Sequence, residues 1–237
     1  MGGGTIIRPA AAPIVAQGVN HYFGLGEARK QAIWDLNLTI KRGTLTILMG
    51  PSGSGKTTVL TLMGCLRNVQ EGSVSLLGHE LRGATEAQLV LLRRRLGFIF
   101  QAHNLHESLT AMQNVLMGLQ VHGPGDAAKQ QAAARHMLGL LGLADRVDYL
   151  PGNLSGGQKQ RVAVARALVA NPEVIFADEP SAALDKDSGR VVVEMLKTLG
   201  QTRNTTTVMV THDNRIMDLA DRIITLEEGR VVKDTAP

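Results

Sequence analysis

A glycine-rich segment between two apolar runs has the residue types that bind phosphate groups. Its glycines let backbone N–H groups converge on phosphate oxygens, and the positive end of the following helix dipole adds to the attraction. We expect Lys56 to reach the β- and γ-phosphates of a nucleotide and the Thr57 hydroxyl to hold Mg²⁺. The predicted nucleotide-binding residues of this segment are Gly50, Pro51, Ser52, Gly53, Ser54, Gly55, Lys56, Thr57 and Thr58.

A phosphate-binding loop also needs a carboxylate that binds the metal ion, and two adjacent carboxylates elsewhere in the chain can supply it. Asp178 and Glu179 follow the apolar run 174–177, so they stand at the carboxyl end of a predicted strand, where ligands bind in open α/β sheets. An Asp-Glu pair is more often a solvated turn, but the apolar strand before this pair favours a catalytic role. We predict that Asp178 binds Mg²⁺ and that Glu179 polarises the water that attacks the γ-phosphate.

Two further polar residues follow predicted strands. Gln101 comes after an apolar run at 98–100 and offers a carbonyl oxygen to Mg²⁺ or to the attacking water. His212 comes after the run 207–211, and we expect it to hydrogen-bond the γ-phosphate. Either residue alone is more often an ordinary polar group, so the prediction depends on their place in the ordered set with Glu179.

A second glycine-containing turn precedes an alanine-rich predicted helix. Ser155 is a natural N-cap, and the two glycines behind it let a ligand approach the backbone closely. An isolated Ser-Gly-Gly is usually a linker, but this one leads through a helix directly into the strand of Asp178. We therefore interpret it as a second anion-binding helix terminus, formed by Leu154, Ser155, Gly156, Gly157 and Gln158.

With these motifs, the chain from about residue 14 to about residue 233 resembles the ATP-binding subunits of ABC transporters. The resemblance makes 50–57 the Walker A motif, 154–158 the signature and 174–178 the Walker B motif. It makes Glu179, Gln101 and His212 the catalytic residues, as the base, the Q-loop glutamine and the switch histidine. The implied Mg²⁺ ligands are Thr57, Gln101 and Asp178, and the implied D-loop residues are Ser181, Ala182, Ala183, Leu184 and Asp185.

The resemblance also implies an assembly and a fold. In this family two subunits form a head-to-tail homodimer, and each ATP lies between the Walker A motif of one subunit and the signature of the other. Ser155, Gly156 and Gly157 would then act in trans on ATP and Mg²⁺ bound by the partner. The implied fold is α/β, a P-loop NTPase (RecA-like) core with a small antiparallel β subdomain and an inserted helical subdomain.

Two positions depart from the family pattern. Counting back from Walker A, the residue that stacks on adenine is Phe23, where the family usually has tyrosine. Phenylalanine keeps the π-face that stacking needs, and Tyr22 is the alternative stacking residue. In the D-loop, Ala182 stands where the family often has a hydroxyl group, which we expect to weaken communication across the dimer without abolishing hydrolysis.

Four stretches resemble the lipoprotein-release and macrolide-exporter subgroup, and most closely the DevA-type subunit of cyanobacterial glycolipid exporters: 20–24, 101–105, 109–115 and 178–185. The resemblance implies a peripheral subunit on the cytoplasmic face of the bacterial inner membrane. It implies an integral membrane permease, with a periplasmic adaptor, that exports a lipid-like or amphipathic substrate. The alternatives are an ABC ATPase that regulates envelope remodelling or cell division without transport, and a small-molecule kinase, which would have no use for 154–158.

Composition restricts the partners further. The 237 residues include one cysteine, Cys65, so no intrachain disulfide forms, as expected in a reducing cytoplasm. No apolar run approaches the ~18 residues of a membrane span, and no cleavable export signal opens the chain. The net charge is +4, but the basic residues are scattered apart from 93–95, which we interpret as a helix end. We therefore predict no nucleic-acid partner, and attraction to anionic lipid stays open.

The breaks in the sequence divide the chain. Residues 1–12, rich in glycine and alanine, are predicted to be a flexible N-terminal tail, and 13–237 a single ABC ATPase domain. The catalytic core is predicted at 13–100 and 162–237, with the helical subdomain at 101–161 between its halves.

Overall fold

The computed structural model describes residues 12–123, 125–182 and 184–235. The predicted tail therefore lies outside the described residues except for Ala12, and so does Ala183 of the predicted D-loop. The strands are β1 (Ile14–Phe23), β2 (Lys30–Ile40), β3 (Leu45–Met49), β4 (Glu71–Leu76), β5 (His79–Glu80), β6 (Leu96–Ile99), β7 (Val174–Asp178), β8 (Thr206–Val210), β9 (Arg222–Glu227) and β10 (Arg230–Asp234). The helices are α1 (Lys56–Met63), α2 (Glu86–Arg93), α3 (Ala111–Gln120), α4 (Ala127–Leu140), α5 (Gly156–Leu168) and α6 (Lys186–Arg203).

A six-stranded sheet in the order β10-β9-β3-β8-β7-β6 forms the centre of the fold. Its strands run parallel except β10, which turns back on β9 as a hairpin. The inner strands β3, β7 and β8 are apolar runs buried on both faces, as expected for parallel strands covered by other elements on each side.

The register of the central sheet places three strand ends side by side. Leu48 of β3 and Asp178 of β7 both pair with Val210 of β8. The segments that follow these strands therefore leave the sheet at one edge. They are the glycine-rich loop, the carboxylate pair and the segment that contains His212.

A second sheet, in the order β2-β1-β4-β5, is antiparallel throughout. Its apolar face shares one buried cluster with α1 and with one face of the central sheet. Because β1 pairs with β2 from Ile14 to Phe23, the end of β1 lies opposite the start of β2, with Phe23 against Lys30. The end of β1 and the start of β2 therefore lie near the glycine-rich loop.

Helices α3, α4 and α5 follow β6 and precede β7 along the chain, and they pack against one another. A Cβ atom on Gly118 of α3 would lie 2.3 Å from the carbonyl oxygen of Arg166, so only glycine permits this close approach of α3 to α5. Helix α5 runs unbroken across residue 161, where the helical subdomain was predicted to end, and that division stays a prediction. None of the helices in the described ranges is long and apolar enough to span a bilayer.

Candidate nucleotide site

The glycine-rich loop 50–55 connects β3 to α1, and two of its glycines are required by geometry. Gly50 has a φ of 140°, and a Cβ atom there would lie 1.9 Å from the carbonyl oxygen of Leu226. Gly55 has a φ of 97° and precedes α1 without any side-chain cap. The first turn of α1 therefore keeps its N–H groups for a ligand, because no side chain of its N-cap residue accepts from them.

Lys56 places its ammonium group inside this loop. Its Nζ donates hydrogen bonds to the carbonyl oxygens of Gly50 at 2.9 Å and Pro51 at 2.8 Å, and it lies 3.4 Å from Ser54 Oγ. These neutral acceptors hold the cation where the loop turns around it, so a positive charge stands at the centre of the loop. This position suits the β- and γ-phosphates of a nucleotide.

A hydroxyl and a carboxylate from distant parts of the chain meet beside the loop. Thr57 donates a hydrogen bond to Asp178 Oδ2 at 3.1 Å. Burial raises the pKa of the Asp178 carboxyl, and the charge of Glu179 raises it further, against the opposing effects of Thr57 and Lys56. A carboxylate in such surroundings favours a nearby cation, and hydroxyl and carboxylate oxygens are the donors that Mg²⁺ prefers.

The number of protein oxygens beside the loop also suits Mg²⁺. Mg²⁺ characteristically binds through one or two protein oxygens together with phosphate and water oxygens. Thr57 and Asp178 supply protein oxygens of this kind at the end of the loop.

Glu179 is held in an uncommon backbone conformation next to a histidine. Its φ of 50° is left-handed, and its N–H donates to the carbonyl oxygen of Val210 at 2.9 Å. For a residue with a side chain this conformation costs on the order of 1 kcal/mol. Its Oε1 lies 2.8 Å from His212 Nδ1, and its side chain is 13% exposed while that of His212 is 80% exposed.

A cleft of about 1060 Å³ brings most of the predicted site residues together, and this volume suffices for a nucleotide. Gln101, in the segment that follows β6, lines the cleft together with residues of the loop. The site residues predicted from the sequence that line it are Phe23, Gly50, Ser52, Gly53, Gly55, Lys56, Thr57, Thr58, Gln101, Asp178, Glu179 and His212.

Phe23 and Tyr22 have different surroundings. Phe23 lines the cleft, is 40% exposed, and has the guanidinium of Arg67 4.9 Å above its ring. The Tyr22 hydroxyl donates to Glu71 at 3.2 Å, its ring is covered by Arg29 at 3.8 Å, and it does not line the cleft. Of these two rings, only that of Phe23 is available to a ligand of the cleft.

Sequence reasoning did not find six other residues that line the cleft: Lys30, Gln31, Ala32, Trp34, Val210 and Glu228. Four of them lie on β2, which starts opposite Phe23, Val210 ends β8, and Glu228 is in the β9–β10 turn. The signal that could have found the first of them is the pairing of β1 with β2. A residue predicted to contact a base implicates its partners on the neighbouring strand.

Residues 33–182 match the ABC transporter family, and this range is more than half of the chain. The chain belongs to the ABC transporter family. As an ABC ATPase subunit it hydrolyses ATP to ADP and phosphate and uses Mg²⁺. The predicted fold class, an α/β P-loop NTPase core with a small antiparallel sheet and inserted helices, is confirmed.

Similar proteins cover the chain almost completely. It is 42% identical over 224 residues to the macrolide export ATP-binding/permease protein MacB of Neisseria meningitidis, a match covering 94% of this chain and 34% of that protein. It is 39% identical to an ABC transporter ATP-binding protein of Methanocaldococcus jannaschii, covering 93% of this chain and 98% of the relative. The cassette MJ0796, solved as a dimer in a post-hydrolysis state with ADP and Pi, has a TM-score of 0.88 at 36% identity, covering 93% and 97%. The chain thus spans about a third of the macrolide exporters' length.

The predicted signature of this ABC ATPase lies apart from the cleft of its own chain. Ser155 is the N-cap of α5, and its hydroxyl accepts a hydrogen bond from the Gln158 N–H at 3.2 Å. The Gln158 side chain accepts in return from the Ser155 N–H at 2.9 Å, which completes a capping box. Leu154 is buried below the turn. None of the described residues 154–158 lines the cleft.

The predicted D-loop borders the Glu179–His212 pair. Ser181 and Ala182 share a small second cavity with this pair, and the Ala182 N–H donates to the Glu179 carbonyl oxygen at 3.2 Å. Leu184 is buried, and Asp185 caps α6 by accepting from the Ser188 N–H at 3.0 Å.

Helix α5 is tied to the segment that follows Gln101. The Arg166 guanidinium donates to the carbonyl oxygens of Asn104 at 2.6 Å and His103 at 2.9 Å. Burial lowers the pKa of Arg166, but a guanidinium stays charged across the physiological range. One helix of this ABC ATPase thus begins at the predicted signature and, near its end, holds the backbone beyond Gln101.

Proposed function

We propose that two copies of this chain close head to tail around two ATP molecules, with each ATP bound by 50–58 of one copy and by 154–158 of the other. The observation that carries this proposal is the division of the residues. The cleft of one chain has residues for the phosphates, the metal and the base, whereas the second phosphate-binding helix start lies elsewhere. A solved cassette with TM-score 0.88 is dimeric with ADP and Pi bound, which supports a dimer of this chain.

Within the cleft, the residues have separable tasks. Lys56 neutralises the β- and γ-phosphates, and Thr57, Gln101 and Asp178 hold Mg²⁺, which neutralises charge developing on the transferred phosphoryl group. Glu179 accepts the proton of the attacking water. Because positioning and charge stabilisation dominate phosphoryl transfer, the left-handed backbone of Glu179 is the device that aims its carboxylate.

His212 orients the base and senses the phosphate. Its Nδ1 lies 2.8 Å from Glu179 Oε1, so an Nδ1–H donates to the carboxylate and fixes its position. The rest of the ring is largely exposed at the cleft, which leaves Nε2 for the γ-phosphate. One imidazole thereby couples the position of Glu179 to the presence of the γ-phosphate that the water attacks.

Mixing two inactive variants tests the head-to-tail arrangement. Lys56→Ala removes the phosphate cation from its own cleft, and Ser155→Arg blocks the helix start offered to the partner. In a mixed dimer, the intact cleft of the Ser155→Arg copy meets the intact signature of the Lys56→Ala copy. We expect the mixture to hydrolyse ATP, with about a quarter of the wild-type number of complete sites at random pairing.

The matched control mixes Lys56→Ala with the double variant Lys56→Ala/Ser155→Arg, in which no complete site forms. Restored hydrolysis in the first mixture and none in the control supports action in trans. If neither mixture hydrolyses ATP although mixed dimers form, the proposal is wrong.

We further propose that the ATPase drives export of a lipid-like or amphipathic substrate by an integral membrane permease at the cytoplasmic face of the bacterial inner membrane. Support comes from the similarity to proteins named as macrolide export ATP-binding/permease proteins, of which this chain spans 34%. A periplasmic adaptor and the likeness to glycolipid exporters stay predictions. Purification of the tagged chain in mild detergent tests the proposal. A permease should copurify, whereas copurifying division proteins would favour the regulatory alternative.

A further inference from the structure

The cleft contains a second aromatic residue that none of the motifs above uses. Trp34 on β2 lines the same cleft as Phe23 and is 39% exposed. It is the single tryptophan of the chain. Lys30, Gln31 and Ala32 of the same strand also line the cleft, so the first half of β2 forms part of the wall.

Two backbone hydrogen bonds fix Trp34 relative to the phosphate-binding loop. The Trp34 N–H donates to the carbonyl oxygen of Gly229 at 2.9 Å, and the Gly229 N–H donates to the carbonyl oxygen of Ser54 at 3.1 Å. A Cβ atom on Gly229 would lie 2.2 Å from the Ala32 carbonyl oxygen, so the β9–β10 turn packs directly on β2. Trp34 and the loop are therefore parts of one rigid unit.

An arginine sits on each aromatic ring of the cleft. The Arg230 guanidinium lies 4.9 Å from the centroid of Trp34, and that of Arg67 lies 4.9 Å from the centroid of Phe23. Cation–π contacts of this kind hold a ring in place. Two oriented rings with adjacent positive charges match a ligand that has a flat aromatic part and an anionic part.

We propose that Trp34 is a further nucleotide-contact residue, whose indole packs against the base and ribose of the nucleotide that reaches Phe23. This inference rests on the proposed use of the cleft for ATP. The loop 50–58 takes the phosphates, and Phe23 and Trp34 are the large apolar groups left to contact the base–ribose half. Aromatic side chains stack on any base through their π-faces, so Trp34 adds affinity for the nucleoside part.

The fluorescence of the wild-type chain is the first test, because Trp34 is its single tryptophan. We titrate the full chain with ADP and, separately, with inorganic tripolyphosphate, which has no base. ADP should change the emission in a saturable way, with the same Kd that calorimetry gives, and saturating tripolyphosphate should leave it unchanged. Unchanged emission at saturating ADP would overturn the proposal.

Variants provide the second test. Trp34→Ala should weaken ADP binding about tenfold and leave tripolyphosphate binding unchanged, and Trp34→Phe should recover most of the loss because it keeps a ring. Thermal unfolding checks that both variants fold. Equal ADP affinity in wild type and Trp34→Ala would refute the role of Trp34 and leave the proposed ATP cleft intact. If the wild type binds tripolyphosphate but no ADP, the proposed ATP cleft fails together with this inference.

A third measurement separates the nucleotide from the partner copy as the ligand of Trp34. Glu179→Gln with ATP provides the dimer, and the wild type with ADP provides the monomer. An emission change already complete in the monomer supports nucleotide contact. A change confined to the dimer would assign Trp34 to the surface between copies and overturn the proposal.

Discussion

Helices α1 and α5 both begin at a glycine-containing turn, but their first turns are satisfied differently. Gly55 precedes α1 without a side-chain cap, and the first residues of α1 line the cleft. Ser155 and Gln158 satisfy the start of α5 with a reciprocal pair of hydrogen bonds. In the proposed head-to-tail arrangement, α1 would bind phosphate unaided, whereas α5 would exchange an internal hydrogen bond for one to a nucleotide already held by another copy.

Removing the base while keeping both helix starts gives the largest expected effect. Glu179→Gln should lower ATP hydrolysis by about 10²- to 10⁴-fold, because the amide cannot accept the proton of the attacking water. ATP binding should survive, and a dimer should accumulate in gel filtration with ATP. Glu107→Gln changes an exposed glutamate outside the cleft and is the matched control. A monomer in the presence of ATP would contradict the shared site.

A change at the start of α1 should have the second largest effect on hydrolysis. Lys56→Ala removes the cation at the centre of the loop, so we expect hydrolysis to fall about 10²- to 10³-fold together with nucleotide affinity. The exposed Lys41, changed to alanine, provides a control with the same loss of charge. Undiminished turnover of Lys56→Ala in a steady-state ATPase assay would refute the role of 50–58 in binding the ATP that is hydrolysed.

The next expected effect is at the end of the cleft where Phe23 lies. Phe23→Ala should weaken ADP binding by about 1–3 kcal/mol, because a base loses its stacking partner. Tyr22→Ala should have little effect, since Tyr22 does not line the cleft and its hydroxyl is bonded to Glu71. Calorimetry on both variants decides between them, and a larger loss for Tyr22→Ala would assign the stacking to that residue instead.

The capping boxes allow the smallest and most specific test. Ser155→Ala should destabilise the fold by about 1 kcal/mol through loss of the α5 cap. Thr110→Ala removes an equivalent capping box from α3, with Gln113 in the place of Gln158, and should lower the thermal midpoint by a similar few degrees. Only Ser155→Ala should also slow hydrolysis. Equal slowing in both variants would reduce Ser155 to a structural cap.

Local patterns were sufficient to predict the elements that carry the chemistry. The apolar runs before the glycine-rich loop, Asp178 and His212 are the strands β3, β7 and β8, and Ser155 is the N-cap of its helix. These predictions work because each strand is buried on both faces and each cap depends on residues three apart.

Contacts between distant segments were beyond local patterns. Trp34 reaches the cleft only because β2 pairs with β1 and packs on the β9–β10 turn, an arrangement that no short stretch encodes. The pairing of Glu179 with His212 depends likewise on β7 lying beside β8.

Helix α5 is continuous, so it links its two ends mechanically. Its thirteen residues form a rod about 20 Å long, with Ser155 at one tip and Arg166 near the other. Arg166 donates hydrogen bonds to the backbone beyond Gln101, so a displacement of that backbone would tilt α5. A tilt of about 5° over this length swings the tip by nearly 2 Å, which is enough to make or break a hydrogen bond. In the proposed head-to-tail arrangement, a movement of the segment beyond Gln101 would thereby be transmitted through α5 to Ser155, the end that faces the other copy.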